Sequence, residues 1–275
     1  MKVPHPSLDE WHWSVEQIPY EAIDPNRADV GRELFYLLAS ASFVEMTSDL
    51  YTRKLVDYFN DDPELCGWLI ERWRREEVQH GIALRCYVNT VWPKFDWERA
   101  YFRFYTEYSR RCKAKQLGPT PALEMVSRCL VETGTATLYT MLNQVSAEPV
   151  LRTITAHIKS DEVRHYKYFY HYFLRYQQRE GLGHFTVLRT LWNRFSKIDN
   201  EDVYCAFKHV FLECHPRRRF HDIDYRVFSS RWRLVARAFY PYEMAIRMLL
   251  KPIRLSRSVQ RAAVPVLLAV TKYLS

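Results

Sequence analysis

Hydrophobic residues recur at helical spacing in four long stretches of the chain, and prolines lie only at the ends of these stretches. The first covers about 27–58, and the second begins at Asp62-Pro63 and ends near 91. The third covers about 121–146, and the fourth runs from 149 to about 179, before Gly181. Proline in the first turn is a common start of a helix, and glycine a common end. The pattern therefore predicts four long helices.

A shorter aromatic-rich helix is predicted over 97–113, between the second and third long helices. Two helix pairs joined by a crossover have the connectivity of ferritin-like four-helix bundles. We therefore predict an all-α fold, a ferritin-like four-helix bundle with additional helices, mainly C-terminal. The chain is expected to form one domain, 1–275, made of an N-terminal arm over 1–27, the bundle over 28–180, and a basic helical extension over 181–275.

Composition agrees with a helical protein that has a large core. Of 275 residues, 48% are hydrophobic and 15% aromatic, and the presence of only 7 glycines disfavours a fold rich in tight turns. The N-terminus lacks the apolar run of a signal peptide, and the longest apolar run, 262–270, is much shorter than the roughly 20 residues of a membrane span. The 6 cysteines form no Cys-x-x-Cys, so we expect reduced thiols and a cytoplasmic protein.

The positive charge is unevenly distributed. The formal net charge is +8, and residues 201–275 account for the whole of this excess. One interpretation is a solvated basic surface. The other is a docking face for an acidic partner, such as a carrier protein, a ferredoxin, nucleic acid or an anionic membrane. The arginine run at 217–219 alone is a weak basis for nucleic-acid binding, which we do not predict.

Two copies of Glu-x-x-His lie in the middle of predicted helices, at 77–80 and 162–165. Glu and His at this spacing share one face of a helix and can reach the same metal ions. Each motif follows a lone glutamate, Glu45 or Glu132, at a nearly equal distance. A bundle that binds two metal ions uses this set, one glutamate from each of two helices and a Glu-x-x-His from each of the others.

The lone glutamates lie in apolar surroundings, which favours metal ligands over surface residues. Glu132 is the only charged residue over 129–147, and Glu45 the only one over 34–48. A buried unpaired carboxylate costs several kcal/mol or stays protonated. Two divalent ions would offset the charge of four carboxylates. The alternative is that these are ordinary surface or protonated glutamates and core histidines.

Carboxylates mixed with imidazoles favour iron or manganese. Zinc prefers sites rich in histidine or cysteine, and calcium does not recruit imidazole. We predict two iron ions, with manganese as the alternative.

These stretches resemble the di-iron carboxylate superfamily, and within it most closely the soluble acyl-carrier-protein desaturases. WRREEVQHG at 73–81 is similar to that family's W-x-x-E-E-x-x-H-G segment, DEVRH at 161–165 to D-E-x-R-H, and ETGT at 132–135 to E-x-x-T. The resemblance implies a set of six iron ligands: Glu45, Glu77, His80, Glu132, Glu162 and His165. It also implies that the Thr135 hydroxyl carries a proton beside the oxygen-binding face and that Asp161 orients a ligating histidine.

The function that the resemblance implies is an O2-dependent oxidase or desaturase acting on an unactivated C–H bond of a fatty-acyl thioester. Its expected partners are an acyl-carrier protein, a ferredoxin-type electron donor and O2, and a homodimer is the default assembly. A di-iron hydroxylase, an N-oxygenase or a tRNA-modifying hydroxylase would share the same ligands. A metal-storage relative and a purely structural helical protein are further alternatives. We expect an acyl slot lined from Leu38, Ser42 and Thr135, and Tyr139 to be either a redox tyrosine or a core aromatic.

Overall fold

The computed structural model describes residues 12–28, 31–114, 117–196 and 201–274, and these residues form helices and no strands. The helices are, in chain order, α1 Pro25–Ala28, α2 Arg32–Met46, α3 Ser48–Tyr58, α4 Pro63–Trp68, α5 Arg74–Val91, α6 Trp97–Ala114, α7 Pro121–Val145, α8 Pro149–Glu180, α9 His184–Ser196, α10 Glu201–Cys214, α11 Asp222–Phe239, α12 Tyr242–Leu250 and α13 Arg257–Leu274. The all-helical prediction is confirmed for this part of the chain.

Three of the predicted helix starts have the expected local chemistry. α4, α7 and α8 each have proline in the first turn, where no backbone donor is needed. The preceding residues, Asp62, Thr120 and Glu148, accept hydrogen bonds from backbone N–H groups of the first turn. α8 ends at Gly181, whose positive φ of 61° suits glycine.

Two predicted long helices are interrupted in the structure. The helix predicted over 27–58 consists of α1, α2 and α3, with a break at Thr47, whose hydroxyl donates to the carbonyl of Val44. The second is continuous from α4 to α5 but widens to π-helical geometry over Leu69–Trp73. Single π-turns of this kind are frequent next to functional sites.

The long helices pack as two pairs. α7 packs along α8, to which it is joined by a short loop, and α2 packs along α5. α5 also contacts α8, which brings the two pairs together. α6 and α10 cover α2, while α9 and α12 cover α7.

Buried hydrophobic residues form two clusters. One surrounds α2, α6 and α10, and the other lies between α3, α4, α8 and α9. α5 approaches the end of α2 closely at Gly81, where an added Cβ would lie 2.8 Å from the backbone nitrogen of Met46.

None of the described helices combines the length and the apolar composition that crossing a bilayer requires.

Candidate metal centre

Six buried side chains from four helices converge between the two helix pairs. They are the six residues expected from the sequence: Glu45 of α2, Glu77 and His80 of α5, Glu132 of α7, and Glu162 and His165 of α8. Their ligand atoms form two sets, within each of which all atoms lie within 4.8 Å of one another. One set contains Glu45 and His80, the other contains Glu132 and His165, and both contain Glu77 and Glu162.

The two imidazoles point the same nitrogen towards this space. Nδ1 of His80 lies 3.2 Å from Oε1 of Glu162 and 3.7 Å from Oε2 of Glu45. Nδ1 of His165 lies 3.0 Å from Oε1 of Glu77 and 3.7 Å from Oε2 of Glu132. The ring centroids are 5.9 Å apart. Each of the two sets therefore contains one histidine Nδ1 that faces the glutamate carboxylates.

Four atoms at the centre have no hydrogen-bond partner among the described residues. They are Oε1 of Glu77, Nδ1 of His80, Oε1 of Glu162 and Nδ1 of His165. Buried polar atoms are nearly always hydrogen-bonded, so four in one place call for an explanation. All four are atoms that coordinate metal ions. The residues present therefore fit a pair of divalent cations.

The outward nitrogen of each histidine is held by a carboxylate from the opposite motif. Nε2–H of His80 donates to Oδ2 of Asp161 at 3.0 Å, and Nε2–H of His165 donates to Oε2 of Glu76 at 2.8 Å. This hydrogen bond fixes the tautomer that leaves Nδ1 free to bind a metal. Asp161 thus contacts a candidate ligand histidine, and its orienting role stays a prediction. Glu76 is an addition that we did not select from the sequence.

Two arginines compensate the charge of these outer carboxylates, and an indole donates a hydrogen bond to one of them. Nε of Arg72 lies 2.7 Å from Oε1 of Glu76, and Arg164 bonds both Glu76 and Asp161. The indole N–H of Trp13 donates to Oδ2 of Asp161 at 2.8 Å. The arm that precedes the helices therefore completes the site.

Tyr139 is buried on α7, and its hydroxyl donates to Oε1 of Glu45 at 2.5 Å. This contact leaves Oε2 of Glu45 facing His80. Tyr139 thus belongs to the buried core, and its hydroxyl also orients a candidate ligand.

Thr135 is half-buried, whereas Glu132 and Glu162 are buried. Its hydroxyl donates to Oε2 of Glu162 at 2.6 Å.

The electrostatics show a crowded set of acids in a dry space. Burial and the charge of Glu162 raise the pKa of Glu77 well above its usual value, and the same causes raise that of Glu132 to about 8. Burial alone would lower the pKa values of His80 and His165, but the surrounding carboxylates raise them well above the usual range. Without metal, protons have to balance the charge that two cations would balance.

The chain has another small cluster of ligand-type residues, Glu107, Cys205 and His209. Lys208 and Arg111 lie 2.7 and 2.8 Å from the Glu107 carboxylate, which also accepts a hydrogen bond from His209. These cations already compensate the carboxylate, so we do not assign a metal site here. His209 nevertheless has a partner that its sequence context did not indicate.

The expected acyl slot is not seen at the inner positions. Leu38 and Ser42 are fully buried in packed core, and the Ser42 hydroxyl accepts a hydrogen bond from the indole of Trp97 at 2.8 Å. A surface cleft of about 540 Å³ lies instead between α8 and α12.

Comparisons with protein-family models, characterised proteins and solved structures gave no match to this chain.

Proposed function

We propose that α2, α5, α7 and α8 form a ferritin-like four-helix bundle that holds two iron ions, and that the protein is an O2-dependent oxidoreductase. The observation that carries the proposal is the buried convergence of six ligand-type side chains, with four polar atoms unpartnered among the described residues. Glu77 and Glu162 belong to both ligand sets, so both would help to hold the metal pair. Mixed carboxylate and imidazole ligands favour iron, with manganese as the alternative.

When bound and reduced by an external donor, the iron pair supplies the activation of O2 and the oxidising power for cleaving a C–H bond. The chain's own residues do the rest. Asp161 and Glu76 hold the histidine rings in the ligating orientation. Tyr139 holds Glu45, and the surrounding apolar core excludes bulk water from the site.

Thr135 is the group best placed to move a proton. Its hydroxyl is within hydrogen-bond distance of Glu162, and its partial exposure allows exchange with solvent or substrate. A hydroxyl both donates and accepts a proton, so it can pass one to a buried carboxylate without opening the site.

The cleft between α8 and α12 favours an acyl substrate. Apolar atoms of Val163, Met244 and Met248 line it. Lys167 and Lys251 bring positive charge to it, whereas Arg247 is paired with the carboxylate of Glu243, which also lines the cleft. Its volume is in the range of about 300–1,000 Å³ that is usual for ligand sites. Val163 directly follows Glu162, so this wall of the cleft belongs to the metal-bearing helix.

We propose that an acyl thioester on an acidic carrier protein binds there and is desaturated. The hydrocarbon chain suits the apolar lining, and the basic groups suit the phosphate and the acidic surface of a carrier. Desaturation removes two hydrogens from the chain and takes two electrons from a ferredoxin-type donor. Together with two protons, these reduce one O2 to two waters.

Metal analysis after expression in iron-rich medium tests the site. The wild-type chain should contain two iron ions, and Glu132→Ala should contain fewer while keeping its helical circular dichroism. Glu180→Ala is a matched control, because it removes a glutamate from the end of α8, away from both ligand sets. Full iron content in Glu132→Ala would remove this residue from the ligand set, and a wild-type chain without iron or manganese would contradict the proposal.

Product analysis tests the reaction. The reduced protein is incubated with 18O2 and an acyl-carrier-protein thioester. Desaturation predicts an unsaturated acyl chain without label, since both oxygen atoms leave as water. A labelled hydroxyl product would identify a hydroxylase instead, and O2 consumption without acyl product would refute the proposed substrate.

A further inference from the structure

α9 exposes an apolar stripe beside the face that packs on the protein. Phe185, Leu188, Trp192 and Phe195 follow one another at intervals of three or four residues and therefore lie on one side of the helix. Phe185 is 76% exposed and Trp192 is 69% exposed. Val187 and Leu191, on the adjoining face of the helix, are buried in the core cluster that also contains Ile253. The stripe is thus additional to the face that holds α9 on the protein.

α13, which is distant from α9 in the chain, also exposes apolar residues. Val259, Val266 and Val270 are exposed at helical spacing, and Val264 is buried. The turn Lys251–Ile253 packs on α9 and leads into α13. A hydrogen bond from Nδ1–H of His184 to the carbonyl of Ile253 fixes this connection. We refer to the exposed residues of α9 and α13 together as the α9–α13 surface.

The charge on these helices has one sign. The sequences of α9 and α13 contain no acidic residue. Arg189 of α9 and Arg257 and Arg261 of α13 are exposed, whereas Arg194 is partly buried near Arg128. Exposed apolar side chains on helices whose charged residues are all basic are characteristic of helices that lie in the interface of a membrane. Anionic lipid headgroups attract the arginines, while the acyl boundary takes up the apolar stripe.

We propose that the α9–α13 surface binds an anionic lipid bilayer peripherally. A second copy of the chain would bring like charges on these helices together, which disfavours a symmetric dimer through this surface. An acidic protein would match the arginines but would have to bury four large apolar side chains of α9. A bilayer satisfies both requirements with one partner. The inference is independent of the metal centre.

Vesicle flotation with the full chain tests the apolar stripe. The probes are vesicles of phosphatidylcholine alone and with about 30 mol % phosphatidylserine, and the chain should float with the second kind only. Trp192→Ser with Phe195→Ser should lower the binding constant by more than about tenfold, because two large apolar side chains leave the interface. Phe102→Ser is the control, since Phe102 is similarly exposed on α6 and should leave binding unchanged.

Charge reversal tests the electrostatic part. Arg257→Glu with Arg261→Glu should abolish the preference for phosphatidylserine, whereas Arg110→Glu, an exposed position on α6, should retain it. Raising the salt concentration should also weaken binding.

Several results would overturn the proposal. One is the absence of binding to either vesicle, and another is equal binding to both. Loss of binding in the α6 controls would contradict the location of the surface. A dimer in light scattering that dissociates on Trp192→Ser with Phe195→Ser would identify a second copy as the occupant instead.

Discussion

Replacing Glu132 by glutamine should stabilise the metal-free protein, although the change removes a candidate ligand. Glu132 is buried, and burial together with the charge of Glu162 raises the pKa of Glu132 to about 8, despite the nearby imidazole of His165. At pH 7 the folded chain therefore keeps a proton that the unfolded chain releases. The neutral amide of glutamine has the same shape and does not carry this cost.

The magnitude follows from the difference between the two pKa values. Glu132 titrates at its usual value of 4.5 in the unfolded chain and at about 8 in the folded chain. Wild-type stability therefore falls as the pH rises above 4.5, and this loss levels off above 8. A tenfold change in proton affinity corresponds to about 1.4 kcal/mol, so the cost at pH 7 is about 3 kcal/mol. The variant should gain this amount at pH 7 and almost nothing at pH 4.5.

Urea unfolding in the presence of EDTA, followed by circular dichroism at both pH values, measures the effect. Glu124→Gln is the matched control, because Glu124 is equally buried on α7 but has partners. Its carboxylate lies 2.9 Å from Nε of Arg128 and accepts the N–H of Gly118 at 2.6 Å. This variant should be destabilised by about 3–5 kcal/mol, since it leaves a buried charge unpaired. A destabilised Glu132→Gln at pH 7, or a gain that does not change with pH, would refute the reasoning.

Three further predictions concern the surroundings of the site. Tyr139→Phe should cost about 1–3 kcal/mol in urea unfolding of the metal-free protein, since it leaves a buried carboxylate oxygen unpaired. Asp161→Asn and Glu76→Gln should each weaken iron binding by about 10–100-fold in chelator competition, because each loosens one ligating histidine; an unchanged affinity would exclude this role. Gly81→Ala should destabilise the protein by about 1–3 kcal/mol because its Cβ would meet α2, whereas Gly134→Ala, with open space around it, should stabilise it by up to about 1 kcal/mol in thermal unfolding.

The sequence predicted the helices best where local chemistry determines their ends. Pro63, Pro121 and Pro149 lie at helix starts and Gly181 at a helix end, and each acts within its own turn. The break at Thr47 has no such signal. Gly81 packs closely against the end of α2, and this is a tertiary contact. No local sequence pattern in residues 32–58 could have predicted it.

The candidate ligands were accessible from the sequence because their spacing and apolar surroundings are local properties. Their partners were less accessible. Tyr139 could be placed on the same face of α7 as Glu132, but its hydrogen bond is to Glu45 on another helix. Glu76 had a usable signal, since an acidic residue precedes the glutamate of both Glu-x-x-His motifs. Its role becomes visible only when α5 and α8 are placed together.

The direction of the two imidazoles favours the proposed metal centre over a purely structural polar cluster. In a structural network, both ring nitrogens of His80 and His165 would find partners, because burying either one unpaired costs free energy. Here Nε2 of each ring is hydrogen-bonded to a carboxylate of the opposite motif, and each Nδ1 has no hydrogen-bond partner among the described residues, although carboxylate oxygens lie within 3.2 Å of it. The outer carboxylates thus hold both rings with Nδ1 directed at the four glutamates, which is the orientation that metal binding would require. The reciprocal pairing also means that a shift of α5 along α8 would disturb both rings together, so the two half-sites depend on each other.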